Sequence, residues 1–200
     1  GTFTVGVDDT GKDVKFFGDT SGKFVLFDAS ADTLSVSGDL ATVTAGTSNV
    51  VIGVNAGNSI ASGGNFNVVV GDEAGTAITT GDANTLLGYA AGDAIQAGGG
   101  NTLLGAGAGG ATTGSNNVLV GQAGQAQVGV NDTVAMGDGA LQTNTESNKN
   151  TAIGRSALRN HNIDGDGQNT AVGFNAGLAV TTGVNNTLIG GLAGDSLTDA

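Results

Sequence analysis

The chain has 200 residues and a formal net charge of -12, with 38 glycines and no proline, cysteine or tryptophan. Lack of cysteine excludes a disulfide scaffold and thiolate metal sites, and the acidic balance makes nucleic acid and anionic lipid poor partners, since both repel it, so no nucleic acid partner is expected. No apolar run reaches the roughly 18 residues of a spanning helix, so membrane insertion is not expected.

Residues 1–46 follow no period. They hold Phe3, Phe16, Phe17, Phe24 and Phe27, five of the seven phenylalanines, together with Lys12, Lys15 and Lys23. Short alternating runs, "TFTVGV", "VKFFGD", "KFVLFD" and "TLSVSG", are separated by Asp/Gly-rich turns. That pattern predicts a small antiparallel β module with the aromatic side chains as its core. The segment from Gly6 to Gly38 resembles modules in structural proteins of marine phages.

From residue 47 to residue 200 the chain repeats one phrase. "NTLLGYAAG" begins at Asn84 and "NTLLGAGAG" at Asn101. Aligned on the glycine that closes the apolar run, nine copies appear, at Gly53, Gly71, Gly88, Gly105, Gly121, Gly137, Gly154, Gly173 and Gly190. Their spacings are 18, 17, 17, 16, 16, 17, 19 and 17. A period this regular predicts stacked coils, because one coil cannot bury its own apolar faces and a stack can. The glycine load and the missing 3.6-residue apolar period exclude helix.

Each copy reads as a strand before the glycine. The residue immediately before it is aliphatic or Met in all nine copies and is expected to be buried; the residue three before is always Val or Thr, which suits a pleated strand. The residue two before, such as Val51, Leu86, Leu103 or Leu188, makes the opposite face apolar as well, and that second face asks for cover from another chain. Four before the glycine stands asparagine in eight copies, with Thr133 the exception, which predicts a ladder of identical side chains. Alanine follows three after the glycine in eight copies, with Ala123 one place early, and marks a tight corner. Ile60, Ile78, Ile95, Val128, Val180 and Leu197, seven after, predict a second short strand. Nine such coils at the usual strand spacing give a rod about 43 Å long.

"NTAIGRSAL" (Asn150 to Leu158), "NTAVGFNAG" (Asn169 to Gly177) and "NTLIGGLAG" (Asn186 to Gly194) resemble the NTAIGYxAL-type repeats of phage tail fibres, and are similar to repeats in the heads of trimeric autotransporter adhesins. The resemblance implies a left-handed parallel β-roll, or β-solenoid, in which three chains intertwine. The adhesin heads use shorter repeats. The self-cleaving chaperone that ends many such fibres is not visible in these residues. Since the chain starts at Gly1 rather than Met and stops in mid-phrase at Ala200, we read it as a fragment or processed product.

Sites for chemistry are few. His161, the only histidine, lies in the longest loop between repeats, no Ser-His-Asp spacing supports a triad, and no enzyme activity or cofactor is expected. "AGGGN", Ala97 to Asn101, lacks the lysine of a phosphate loop and reads as a coil corner. In "NIDGDG", Asn162, Asp164 and Asp166 alternate as in the first half of a calcium loop, but Gly173 stands where the bidentate glutamate belongs. Two readings stand side by side: a weakly held calcium ion, or a solvated acidic turn. An exposed bulge is expected from Arg159 to Gln168. Lys149, Arg155 and Arg159 carry all the positive charge after Lys23 and form the candidate patch for a specific contact.

The functional expectation is a homotrimeric tail-fibre segment on an extracellular virion, a rigid spacer for attachment to a host receptor or glycan. The alternatives are a bacterial cell-surface trimeric adhesin head and a glycan-binding or depolymerising β-solenoid; the second would need clustered carboxylates and more aromatics than Phe66, Tyr89 and Phe174. An ice-binding face is disfavoured because "TT" recurs in only three copies.

Overall fold

The computed structural model describes the backbone of residues 14–17, 24–28 and 33–37, and residues 44–199 in full. The chain divides into two compact units, Gly1–Ala41 and Thr42–Ala200. In the first, β1 (Val14–Phe17), β2 (Phe24–Asp28) and β3 (Thr33–Ser37) form an antiparallel sheet in the order β1-β2-β3. The "TFTVGV" run and the side chains of the Phe cluster lie outside the described residues.

The second unit is a parallel β-solenoid. Its strands are β4 (Val50–Ile52), β5 (Val68–Val70), β6 (Thr85–Leu87), β7 (Thr102–Leu104), β8 (Val118–Val120), β9 (Val134–Met136), β11 (Thr151–Ile153), β13 (Thr170–Val172) and β14 (Thr187–Ile189). Each pairs in parallel with the next, with equivalent repeat positions opposite one another, as in Leu86 opposite Leu103. We number the coils 1 to 9 after these strands. Nine strands enclose eight full turns of about 4.8 Å rise, or about 38 Å from first strand to last. A smaller pair, β10 (Ser147–Asn148) with β12 (Gly165–Asp166), is also parallel. Among the described residues, no helix is long and apolar enough to cross a membrane.

Strand polarity reverses one expectation. Val69, Leu86, Leu103, Leu119, Ala135, Ala152 and Ala171, two before their glycines, are 0 % exposed and fill the interior of a single chain. The residues immediately before the glycine, expected inside, point out: Leu87 is 51 % exposed and Ile189 70 %. In a three-residue strand the middle side chain faces one way and its two neighbours the other. The asparagine four before the glycine shares the middle residue's parity, and the two go inside together.

There the asparagines form the expected ladder. Asn84 Nδ2 donates to Asn67 Oδ1 at 3.0 Å, Asn101 Nδ2 to Asn84 Oδ1 at 3.0 Å and Asn117 Nδ2 to Asn101 Oδ1 at 3.1 Å. The same amide groups reach carbonyls across the coil, such as Asn101 Nδ2 to Gly114 O at 2.9 Å. Thr133 interrupts the column, its hydroxyl turning to the Asn131 carbonyl at 3.3 Å. The ladder resumes with Asn186 Nδ2 on Asn169 Oδ1 at 3.0 Å. These bonds keep buried amides paired, and on either side of Thr133 they help to hold successive strands in one register.

The opposite wall differs from expectation. Ile60, Ile78, Ile95 and Val180 are buried, but no strand forms there. Glycine four after the anchor adopts a left-handed conformation (Gly75 φ 54°, Gly92 φ 58°) and starts a turn, closed by Ile78 N on Gly75 O and Ile95 N on Gly92 O, both at 3.1 Å. Val128 points out, 55 % exposed, and Gln127 takes its place inside. Leu197 belongs to the uncovered last coil and is 41 % exposed.

In coils 3, 4, 6 and 7 core volume is exchanged between the two walls, whereas in coil 8 Ala171 faces Gly177 and Leu158 and Leu188 of the adjacent coils reach towards that glycine. Where the strand supplies Leu86 or Leu103, the facing position is Gly92 or Gly109; where it supplies Ala135 or Ala152, the facing position is Leu141 or Leu158, fully buried. A Cβ on Gly92 would come within 3.1 Å of both Leu86 and Leu103. The anchor glycines are fixed by contact between layers: at Gly88 φ is 140°, and a Cβ would lie 2.5 Å from the Gly105 carbonyl oxygen.

Candidate functional site: the outward strand face and the His161 loop

The outward face of the nine strands carries eighteen side chains, two per coil. All are Val, Ile, Leu, Met or Thr, and none is buried. An antiparallel or solvated sheet face normally alternates to polar residues on its wet side; this one does not. Ile52 is 52 % exposed, and beyond the anchor glycine the strip broadens through exposed Val54, Tyr89 and Phe174. The face that lacks cover is therefore not that of Leu86, Leu103 and Leu188, but its reverse.

Alongside it the charges are paired. Arg155 Nε lies 3.5 Å from Asp138 Oδ2, with both side chains more than 60 % exposed. Lys149 Nζ meets Asp166 Oδ2 at 2.6 Å, and this hydrogen bond raises the lysine above its ordinary range. Two of the three cations of the expected contact patch are thus salt-bridged within the chain, and Arg159 is exposed.

The loop from Arg159 to Gln168 is not a bulge throughout. His161 is 0 % exposed, in the core row occupied by Ile95 and Val180 in other coils. Its Nε2 lies 3.0 Å from Ser147 Oγ and 3.2 Å from Asn169 Nδ2. Asn169 Nδ2 can only donate, so Nε2 is an acceptor and the ring proton sits on Nδ1. Nδ1 has no partner in hydrogen-bonding geometry, although the Thr181 backbone lies close enough to favour the protonated ring slightly. Burial outweighs this and pushes the imidazole below its ordinary value. Sequence spacing did not reveal the Ser147–His161 contact. It has the geometry of a nucleophile and base, yet both residues are fully buried and, among the described residues, no carboxylate hydrogen-bonds to His161. Gly167 makes the packing feasible, since a Cβ there would lie 2.6 Å from His161 Nε2.

Two of the three alternating oxygen-bearing side chains of the same loop are committed to the preceding coil. Asn162 Oδ1 accepts from Thr145 N at 3.0 Å and from Thr145 Oγ1 at 3.1 Å, while Asp166 holds Lys149. Asp164 is exposed. For all three to converge on one cation, both inter-coil contacts would have to break. Among the described residues, no cluster of three or more His, Cys, Asp or Glu is placed to hold a metal ion. Asn162 instead ties its coil to Thr145, and beside that contact runs a second, outer ladder that sequence reading missed: Asn131 Oδ1 accepts from Ser115 N at 2.8 Å, and Asn148 Oδ1 from Asn131 N at 2.8 Å.

No protein family, no curated protein and no solved structure matches this chain.

Proposed function

We propose that the chain is a shaft: a segment of a homotrimeric viral tail fibre, outside the cell on a virion, acting as a stiff spacer that presents a host-binding tip. The observation that carries this reading is the outward strand face, which presents an aliphatic or Met side chain in every coil, beside Val or Thr, along about 38 Å of rod. A strip of that continuity marks an interface, and an interface repeated at every coil suits copies of the same chain aligned side by side. The Asn ladder, broken only at Thr133 and its neighbours, adds stiffness. A bacterial surface adhesin head would use the same construction. The glycan-binding alternative is weakened by distance: Tyr89 and Phe174 lie five coils apart, about 24 Å, too far to form one sugar platform.

Multi-angle light scattering tests the assembly. A mass near 58 kDa, three times 19.2 kDa, is expected, and a stable, folded monomer overturns the trimer. Incubation with bacterial surface polysaccharide is expected to release no fragments.

A further inference from the structure

Coil 5 departs from the other eight in several independent ways. Its anchor Gly121 has φ 79°, against 116° to 142° at every other anchor. A Cβ on Gly121 would find nothing nearer than 3.7 Å, whereas at Gly71, Gly154 or Gly173 it would strike the next coil's backbone. The corner turn is missing. In the neighbouring coils Ala108 N donates to Gly105 O at 3.2 Å and Ala140 N to Gly137 O at 3.1 Å, but no amide returns to the Gly121 carbonyl.

The layers are also less tied here. The corner ladder that joins Gly107 N to Tyr89 O at 2.9 Å and Gly139 N to Gln122 O at 3.1 Å has no member on the Ala106 carbonyl. On the far wall, the run of Ala61 N to Thr79 O and Thr79 N to Gln96 O, both 2.9 Å, is not continued into coil 5 by the amide of Thr113, and the bond that leaves coil 5, Val128 N to Thr145 O, is longer at 3.3 Å. Inside, Thr112 Oγ1 and both polar atoms of Gln127 are buried without partners, which costs stability that an aliphatic side chain would not. By contrast the strands stay paired across β7, β8 and β9, and Asn117 keeps its bond to Asn101.

The alignment identifies the cause as one missing residue. Other coils place a left-handed residue two after the anchor, such as Gly107 at φ 67° or Gly139 at φ 69°; coil 5 runs from Gly121 through Gln122 directly to Ala123. We propose that coil 5 is a built-in joint, at which the rod bends and first opens, with the intact strand face as hinge line and the corner side, residues 121–129, as the side that gapes. In a stack stabilised by contacts between neighbouring coils, a weakened layer localises opening without melting the rest.

Hydrogen exchange on the full chain, read by mass spectrometry, decides. Amides of residues 122–129 are expected to exchange at least tenfold faster than the equivalent ones in coils 3 and 7. A glycine inserted between Gln122 and Ala123, combined with Gln127→Ile, restores the common pattern and is expected to remove the difference. Uniform exchange across coils 3, 5 and 7 in the unaltered chain overturns the joint, whatever the repaired variant does. Fast exchange that persists in a folded repaired variant overturns the missing residue as its cause.

Discussion

Replacing Asn101 tests whether the inner ladder holds the stack. Its side chain takes part in four hydrogen bonds: to Asn84 Oδ1 at 3.0 Å, to Gly114 O at 2.9 Å, and from Asn117 N and Nδ2 at 3.0 and 3.1 Å. In Asn101→Ala, Asn84 Oδ1 keeps the Asn101 backbone amide and Asn117 Nδ2 keeps the Val130 carbonyl. The Asn117 amide and the Gly114 carbonyl lose the partners these bonds supply. Two buried groups left unpaired cost about 1–3 kcal/mol each, so the variant should lose roughly 2–6 kcal/mol. Asn101→Asp sharpens the test, since the introduced carboxylate would face two oxygens, Asn84 Oδ1 and Gly114 O. Its folded value is raised, the protonated form being the one that can donate, so the penalty should be smallest at acid pH and grow as pH rises past the ordinary carboxylate value near 4. Urea unfolding followed by circular dichroism measures both, with Asn116→Gly, exposed and already left-handed at φ 60°, as a control expected to shift by less than about 1 kcal/mol. An Asn101→Ala loss below about 1 kcal/mol would refute the ladder as a source of stability.

The two strand faces separate by substitution: Leu103→Asp should unfold the chain, whereas Leu104→Asp should leave each chain folded and dissociate the assembly, as circular dichroism and light scattering together would show. Because burial lowers the His161 value, the unfolded chain binds the proton more readily. Its contribution is therefore complete above about pH 6.5 and is lost as pH falls from there towards the lowered folded value; His161→Val should flatten that part of the stability profile. Leu158→Gly should cost about 2–5 kcal/mol and Ala152→Leu about 1–3 kcal/mol, while the double variant, which reproduces the Leu103/Gly109 pairing, should cost less than the sum in a double-mutant cycle. Calcium at millimolar concentration should leave the melting of wild type and Asp164→Ala equal; a rise in wild type alone would favour the ion over the Asp166–Lys149 bridge.

The coil period, the Asn ladder and the early position of Ala123 were legible because each depends on residues that recur at fixed places. The inside and outside of the strand were misassigned because Val and Leu serve both faces. Asparagine held the missing signal: a ladder profits from shelter from water, and Asn101 has the parity of Leu103, not of Leu104. His161 was assigned to the surface because polarity alone was weighed; its place in the count, seven after Gly154, was the better guide. The exchange of Ala152 for Leu158 across the core joins positions that no local pattern relates. Asn162 and Asp166 imitated a metal motif because alternate oxygens also suit contacts between neighbouring layers.

The stacking direction has a mechanical consequence. The hydrogen bonds between coils run along the rod, so tension pulls directly against them one layer at a time, while compression only presses the layers together. Each layer that parts frees a coil of about 17 residues, about 58 Å of extended chain in place of about 4.8 Å of rise. A solenoid of this kind resists pushing as a column and answers pulling by paying out length in discrete steps, so a sudden load is spread over distance.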